Sequence, residues 1–197
     1  MRGQRRRRTR PQPGPHRQRS GDYRIFVGAF LHGELADEIQ TLRAQLDPVT
    51  AAITPPHVTL AGTYWRSGRA TPENETVLIH RLQQHQKEMP PFTLQLGGIR
   101  RFGDRVLYLG VRPTRGLLAV RSVLLNIAGE DKHRRYTPHL TLAQRLTPAE
   151  LAAAEARLQE TQWEQERWHV PVAELQLMQR GPDDPVWRAI AQLALKG

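Results

Sequence analysis

No cysteine occurs in this chain of 197 residues. Disulfides, thiolate zinc sites and cysteine nucleophiles are therefore excluded, and nothing marks an oxidising compartment. Long apolar runs are missing too. None approaches the ~18–20 residues of a membrane span, and no apolar segment of signal-peptide type follows the charged N-terminus. A cytoplasmic protein with no membrane association is expected. Aromatic residues make up only 6%. Lysine is nearly absent, so arginine supplies the positive charge. Acidic residues are lacking from residues 1–20, which carry eight arginines. The formal charge of +10 belongs mostly to that segment, because the rest holds 21 basic and 19 acidic side chains. Such an arm can hold phosphate backbones in a salt-dependent way, although blocks of like charge are ordinarily solvated and disordered. Residues 1–21 are expected to be a disordered basic tail, and 22–197 a single domain large enough to bury its own core.

What is present begins at Tyr23–Phe30, an apolar run of strand length. Leu35, Ile39, Leu42 and Leu46 recur at helical spacing and predict a helix over 33–46. After Pro55-Pro56 comes His57-Val58-Thr59-Leu60, read as a strand; alternation places His57, Thr59 and Ala61 on one face. A helix from Pro72 to about Glu88, strands Phe92–Ile99 and Val106–Val111, and a helix over 114–127 follow. A strand is then expected from Pro138 to about Leu146. Thr147-Pro148-Ala149-Glu150 has the form of a capping box, opening a helix that runs to about Thr161. Val172–Met178 and Val186–Leu195 read as closing strands. Strand, helix, motif strand and helix thus occur twice, a weak internal symmetry.

The phrase Pro-His-apolar-Thr-Leu also occurs twice, as Pro56-His57-Val58-Thr59-Leu60 and Pro138-His139-Leu140-Thr141-Leu142, with the histidines 82 residues apart. A bare His-x-Thr is no evidence, since a shuffled chain of this composition holds roughly 0.6 of them. Requiring the preceding proline and both apolar neighbours lowers the expectation to roughly 0.01. On a strand, His and Thr at positions i and i+2 project from the same face ~7 Å apart. Two such pairs facing one site offer one imidazole to take a proton and another to give one. Thr59 and Thr141 can donate to phosphate oxygens as charge builds there. The other histidines lack a partner pattern, and the chain shows no carboxylate–histidine cluster at metal-ligand spacing.

These two motifs, their flanking residues and their separation resemble the 2H phosphoesterase superfamily, and within it the LigT-like 2′-5′ RNA ligases, also described as RNA 2′,3′-cyclic phosphodiesterases. The resemblance covers residues 23 to about 195. It implies an α+β, bilobal, pseudo-two-fold fold, with two antiparallel sheets flanking a central cleft and helices outside. It implies hydrolysis of 2′,3′-cyclic phosphate ends of RNA or nucleotides to 2′-phosphates, reversible towards 2′-5′ joining, with no cofactor and no metal. It further implies His57 as proton donor and His139 as proton acceptor; the residues themselves are symmetric on this point. The group often carries arginine three residues after the second threonine. Here Gln144 holds that position, and alternation puts the next residue, Arg145, on the face of His139 and Thr141. Arg145 is therefore the phosphate-binding candidate. Tyr64, Trp65 and Tyr136 adjoin the motifs, and Phe102 precedes the middle turn where the group often has an aromatic near the base; core packing is the competing role for each. A monomer is expected. Cleavage of 2′-5′ oligoadenylates or of a cyclic ADP-ribose phosphate, and an RNA-binding module without chemistry, are the competing functions.

Overall fold

The computed structural model describes residues 23–66, 72–129 and 135–197, with backbone alone for 63–66 and 72–74. The expected basic tail lies outside the described residues. Eight strands and six helices follow in order: β1 (Tyr23–Phe30), α1 (Glu34–Leu46), α2 (Pro48–Ile53), β2 (His57–Arg66), α3 (Pro72–Gln84), a 3₁₀ turn (Gln86–Glu88), β3 (Phe92–Phe102), β4 (Val106–Val111), α4 (Arg115–Ala128), β5 (His139–Ala143), α5 (Pro148–Leu158), α6 (Gln162–Gln165), β6 (Trp168–Val172), β7 (Glu174–Arg180) and β8 (Arg188–Ala194).

Local signals explain most boundaries. Ala36, Ile39, Leu42 and Leu46 form the buried stripe of α1. Thr114 caps α4 by accepting from Leu117 N–H. Thr147 and Glu150 form the reciprocal capping box at the start of α5, with Pro148 in the first turn. Four elements depart from expectation, one of them α6, a separate short helix after α5. Pro48 opens a short helix, α2, because the Asp47 side chain accepts from Thr50 N–H and caps it. Trp168–Val172 is an additional strand. It is an edge strand paired with β3 alone, which lets Pro171 occupy it without breaking a ladder. The second motif strand, β5, stops at Ala143 instead of reaching Leu146.

All pairings are antiparallel, in the order β6-β3-β4-β5-β2-β1-β7-β8. The two expected sheets are thus two four-stranded halves, and one bridge, Val58 opposite Leu140, joins them. Helices cover one face and cross that seam. α1 and α2, which lie between β1 and β2 in the chain, pack on β5, and α4, which lies between β4 and β5, packs on β2. A single apolar core fills the layer between sheet and helices, from Ile25, Val27 and Leu177 in one half to Leu94, Leu109 and Leu142 in the other. The opposite face of the sheet is the open one, and both motifs look onto it.

The β1–β2 ladder shifts register twice, between Ile25 and Phe26 and between Val27 and Gly28. The second shift inserts Leu60 as an extra residue on β2, so Ala61 turns into the core with Leu60. This overturns the simple alternation that grouped Ala61 with His57 and Thr59. Gly62 follows at φ 111°, and a Cβ there would lie 2.7 Å from the Ile25 carbonyl oxygen. Only glycine fits this bulge.

Candidate active site

The seam brings the motifs together. With Val58 opposite Leu140 in an antiparallel pair, the register aligns His57 with Thr141 and Thr59 with His139. Each histidine thus faces the other half's threonine. All four side chains are half-buried, and His139 is close enough to depress the pKa of His57.

Both imidazoles are held in one way. His57 Nδ1 lies 2.9 Å from the Pro55 carbonyl oxygen, and His139 Nδ1 lies 2.8 Å from the Thr137 carbonyl oxygen. A carbonyl only accepts, so Nδ1 carries a proton in each ring and donates it. Nε2 is then the atom that titrates: lone pair when the ring is neutral, donor when it is charged. The proline before each histidine matters here. It holds the preceding residue in extended backbone, and that stretch supplies the carbonyl two residues before the histidine.

Aromatic rings wall each imidazole, and they come from different strands. Phe26 and Phe30 of β1 lie nearly parallel to His57, at centroid distances of 4.9 and 5.0 Å. Phe26 reaches His57 by leaning over Gly28, where a Cβ would lie 2.9 Å from its ring. Phe102 and Tyr108 meet His139 edge-on at 4.9 and 5.2 Å and stack on each other at 4.2 Å. Phe26 and Tyr108 are buried yet stand apart from the main core, which marks them as lining of the open face. Burial pushes the Tyr108 phenol above its usual range, partly offset by Arg100.

A buried cation stands behind His57. Arg43 is 1% exposed, on the core stripe of α1. Its guanidinium donates to the Thr54 carbonyl at 2.8 Å, the Thr50 carbonyl at 3.3 Å and Gln40 Oε1 at 2.7 Å. Burial lowers its pKa to about 10, against the favourable charge of Asp47, so it stays charged at neutral pH. His57 itself is lowered from 6.5 to about 4. Loss of solvation is the largest cause, with Arg43 and His139 adding to it and the Pro55 carbonyl opposing.

Asp47, at the end of α1, ties this half to the exit of the second motif strand. Its Oδ2 accepts from Gln144 N–H at 3.0 Å, Arg145 N–H at 2.9 Å and the Thr50 hydroxyl at 2.6 Å. Its Oδ1 accepts from Thr50 N–H at 2.9 Å. Burial alone would raise this carboxyl, but the hydrogen bonds hold it below the usual range.

The expectations fare unequally. His57, Thr59, His139 and Thr141 converge on one face, and Phe102 stands beside His139 with 38% of its surface exposed. Tyr136 has another role. Its hydroxyl donates to the Thr59 carbonyl at 2.9 Å, and its ring lies 3.8 Å under the Arg121 guanidinium, so it supports the backbone of the first motif. For Arg145 the alternation argument fails: β5 has ended, and Arg145 is an exposed residue in a bend whose N–H is held by Asp47. The side chains of Tyr64 and Trp65 lie outside the described residues. Phe26, Phe30, Tyr108, Arg43 and Asp47 were missed. An arginine among Ile39, Leu42 and Leu46 was the readable signal for Arg43; the aromatics gave none before β1 and β4 were placed beside the motifs. Among the described residues, no cluster of three or more His, Asp or Glu could hold a metal ion, and no helix is long and apolar enough to cross a membrane.

The profile of the 2′-5′ RNA ligase superfamily matches residues 31–184. The chain belongs to this superfamily of 2H phosphoesterases. Escherichia coli LigT, crystallised with NADP+, superposes with a TM-score of 0.61 at 25% identity over 89% of this chain and 99% of LigT. A Thermus thermophilus protein shares the fold with a TM-score of 0.58 at 20% identity, over 88% of this chain and 98% of its own. A Bacillus cytotoxicus protein provisionally named a phosphoesterase is 28% identical over 138 residues, 68% of this chain and 77% of its own. The LigT-like fold is the α+β arrangement of two halves described above, and the family supports phosphodiesterase-type chemistry on RNA or nucleotide substrates.

Proposed function

We propose that this protein hydrolyses 2′,3′-cyclic phosphate ends of RNA or nucleotides to 2′-phosphates by acid–base catalysis between His57 and His139. The observation that carries the reading is the matched pair of imidazoles. Each has Nδ1 committed to a main-chain carbonyl, so that Nε2 is the atom that gains or loses the proton. Water attacks phosphorus in line with the departing ribose 3′ oxygen. One Nε2 removes the water proton, and the other delivers a proton to the 3′ oxygen as its bond breaks. Thr59 and Thr141 donate to the non-bridging oxygens. With the 5′ hydroxyl of a second strand in place of water, the same groups would open the cyclic phosphate to a 2′-5′ linkage, and microscopic reversibility lets that bond be cleaved again. No cofactor enters the scheme.

The family resemblance makes His57 the donor and His139 the acceptor. Electrostatics favour a different starting state. With an empty cleft His57 is neutral at pH 7, because its pKa is about 4, and neutral imidazole is the base. Bound phosphate would raise that value by opposing Arg43 and the loss of solvation. A p-nitrophenyl phosphodiester needs no proton on its leaving group, so it restores turnover to the variant lacking the donor and not to the variant lacking the base. Applied to His57→Ala and His139→Ala, it assigns the two roles.

The direct test is product analysis on a 2′,3′-cyclic nucleotide with EDTA present. A 2′-phosphate is expected; a 3′-phosphate, or loss of turnover with EDTA, refutes the scheme. The double variant His57→Ala/His139→Ala should lose turnover while keeping affinity for RNA. Unchanged activity in it would refute the two-histidine scheme, whereas a wild type that binds RNA without turnover would be an RNA-binding module. Turnover of 2′-5′ oligoadenylates in preference to cyclic phosphates would move the protein to that branch of the family.

A further inference from the structure

The two halves of the sheet differ beside their motif threonines. In the β1–β2 ladder Thr59 pairs with Gly28, which has no side chain to offer. In the β4–β5 ladder Thr141 pairs with Tyr108. Leu107, Leu109, Leu140 and Leu142 all belong to the core, so alternation puts Tyr108 and Thr141 together on the open face. With Val58 opposite Leu140, Tyr108, Thr141 and His57 stand in one row across the neighbouring strands β4, β5 and β2. Directly opposite residues are the nearest neighbours on a sheet face, with Cβ atoms ~5 Å apart.

Tyr108 is firmly held. Its ring stacks on Phe102 at 4.2 Å and meets His139 at 5.2 Å, and only 8% of the residue is exposed. Its hydroxyl is the part that the fold does not use. Among the described residues it has no hydrogen-bond partner. It is not one of the sealed polar atoms either, so the oxygen meets solvent. A buried tyrosine ordinarily gives its hydroxyl a partner. Here ring packing sets an unused donor beside the threonine of the second motif. Burial favours the neutral phenol, and Arg100, opposite Tyr108 on β3, counters that effect without reversing it. The group therefore keeps its proton at neutral pH and can donate it to an anion.

We infer that the Tyr108 hydroxyl is a third donor to the reacting phosphate and shares one non-bridging oxygen with Thr141, while Thr59 serves the other oxygen alone. Charge builds on these oxygens in the transition state, where a donor already fixed in place is most effective. The bond is charge-assisted, and the stacked ring has no rotamer freedom left to lose. The matched halves thus treat the two oxygens unequally, and Tyr108 is a further catalytic residue. The inference rests on the phosphodiesterase reading and adds a group to it.

Tyr108→Phe keeps the ring and removes only the hydroxyl. Its kcat/KM on a 2′,3′-cyclic nucleotide should fall about tenfold or more, with the urea midpoint unchanged because no group of the fold loses a partner. The two diastereomers of the 2′,3′-cyclic phosphorothioate then locate the contact. Each carries sulfur, a poor acceptor, in place of one oxygen. Tyr108→Phe should cost little on the diastereomer whose sulfur replaces its oxygen, and the full factor on the other. Thr141→Val should spare that same diastereomer, and Thr59→Val the opposite one. Diastereomers that bind without turnover are compared as inhibitors in the same way. An unchanged kcat/KM on the oxygen substrate, an equal loss on both diastereomers, or the pattern of Thr59→Val overturns the inference. Should the wild type turn over none of these substrates, the phosphodiesterase reading fails, and affinity for inorganic phosphate decides the donor alone. Weaker binding by Tyr108→Phe than by the wild type supports it; equal binding, or none by either, refutes it.

Discussion

His57 is the residue whose environment departs most from what its type would suggest. A histidine with a strand-exposed edge would ordinarily titrate near 6.5. Here Phe26 and Phe30 strip water from the ring, Arg43 adds positive charge behind it, and the value drops to about 4. The consequence for stability has a definite sign. Between about 4 and 6.5 the unfolded chain binds the proton that the folded chain refuses, so stability rises with pH across that window and levels off above it. Urea unfolding at pH 7 and pH 5 should show the wild type losing more stability on acidification than His57→Gln, by at most about 2 kcal/mol. Arg43→Met removes the cation. It should raise the His57 pKa, seen in the imidazole NMR titration, and destabilise the fold by about 1–3 kcal/mol, because the Thr50 and Thr54 carbonyls lose their partner. An unmoved titration would mean that the guanidinium charge does not reach the ring.

At the scale of elements, the junction of α1 and α2 joins the two motifs. One helical turn of α1 presents Arg43 to the segment before His57 and ends at Asp47, which grips the segment after Thr141. Asp47 is also the cap of α2. Asp47→Ala should therefore cost about 2–4 kcal/mol, the combination of a lost cap and lost charge-assisted hydrogen bonds. It should also lower kcat more than it raises KM, since the end of β5 loosens while the aromatic walls stay in place. Thr147→Ala provides the contrast, a cap of α5 that makes no hydrogen bond to either motif strand in the contacts described above. It should cost about 1 kcal/mol in the same unfolding measurement with no change in kcat.

The whole molecule depends on a narrow seam. One bridge joins the two halves of the sheet, and the helices supply what that ladder lacks by crossing from each half onto the other's motif strand. Arg121 of α4 donates to the Leu60 carbonyl and stacks on Tyr136, whose hydroxyl holds the Thr59 carbonyl. These contacts join residues far apart in sequence at the backbone of the first motif. Tyr136→Phe keeps the ring and loses one hydrogen bond, so unfolding should show a loss of about 0.5–1.5 kcal/mol. kcat should fall with KM nearly unchanged, because Thr59 loses its support and not its hydroxyl. A change in KM alone would show instead that Tyr136 touches substrate.

Much of this architecture was determined by sequence alone. Apolar periodicity, proline and the capping residues at Thr114 and Thr147 set most elements through short-range physics. The repeated Pro-His-apolar-Thr-Leu phrase carried the four central site residues, because its spacing is itself a strand geometry. Other features were decided only in three dimensions, where distant segments compete for the same space. A bulge at Leu60 redirected Ala61. The early end of β5 freed Arg145 from the alternation that a longer strand would have imposed. Tyr136 was engaged by the Thr59 carbonyl and the Arg121 guanidinium. The aromatic walls and the cation behind His57 depend on which elements become neighbours, and that choice belongs to packing across the seam, not to any local run of residues.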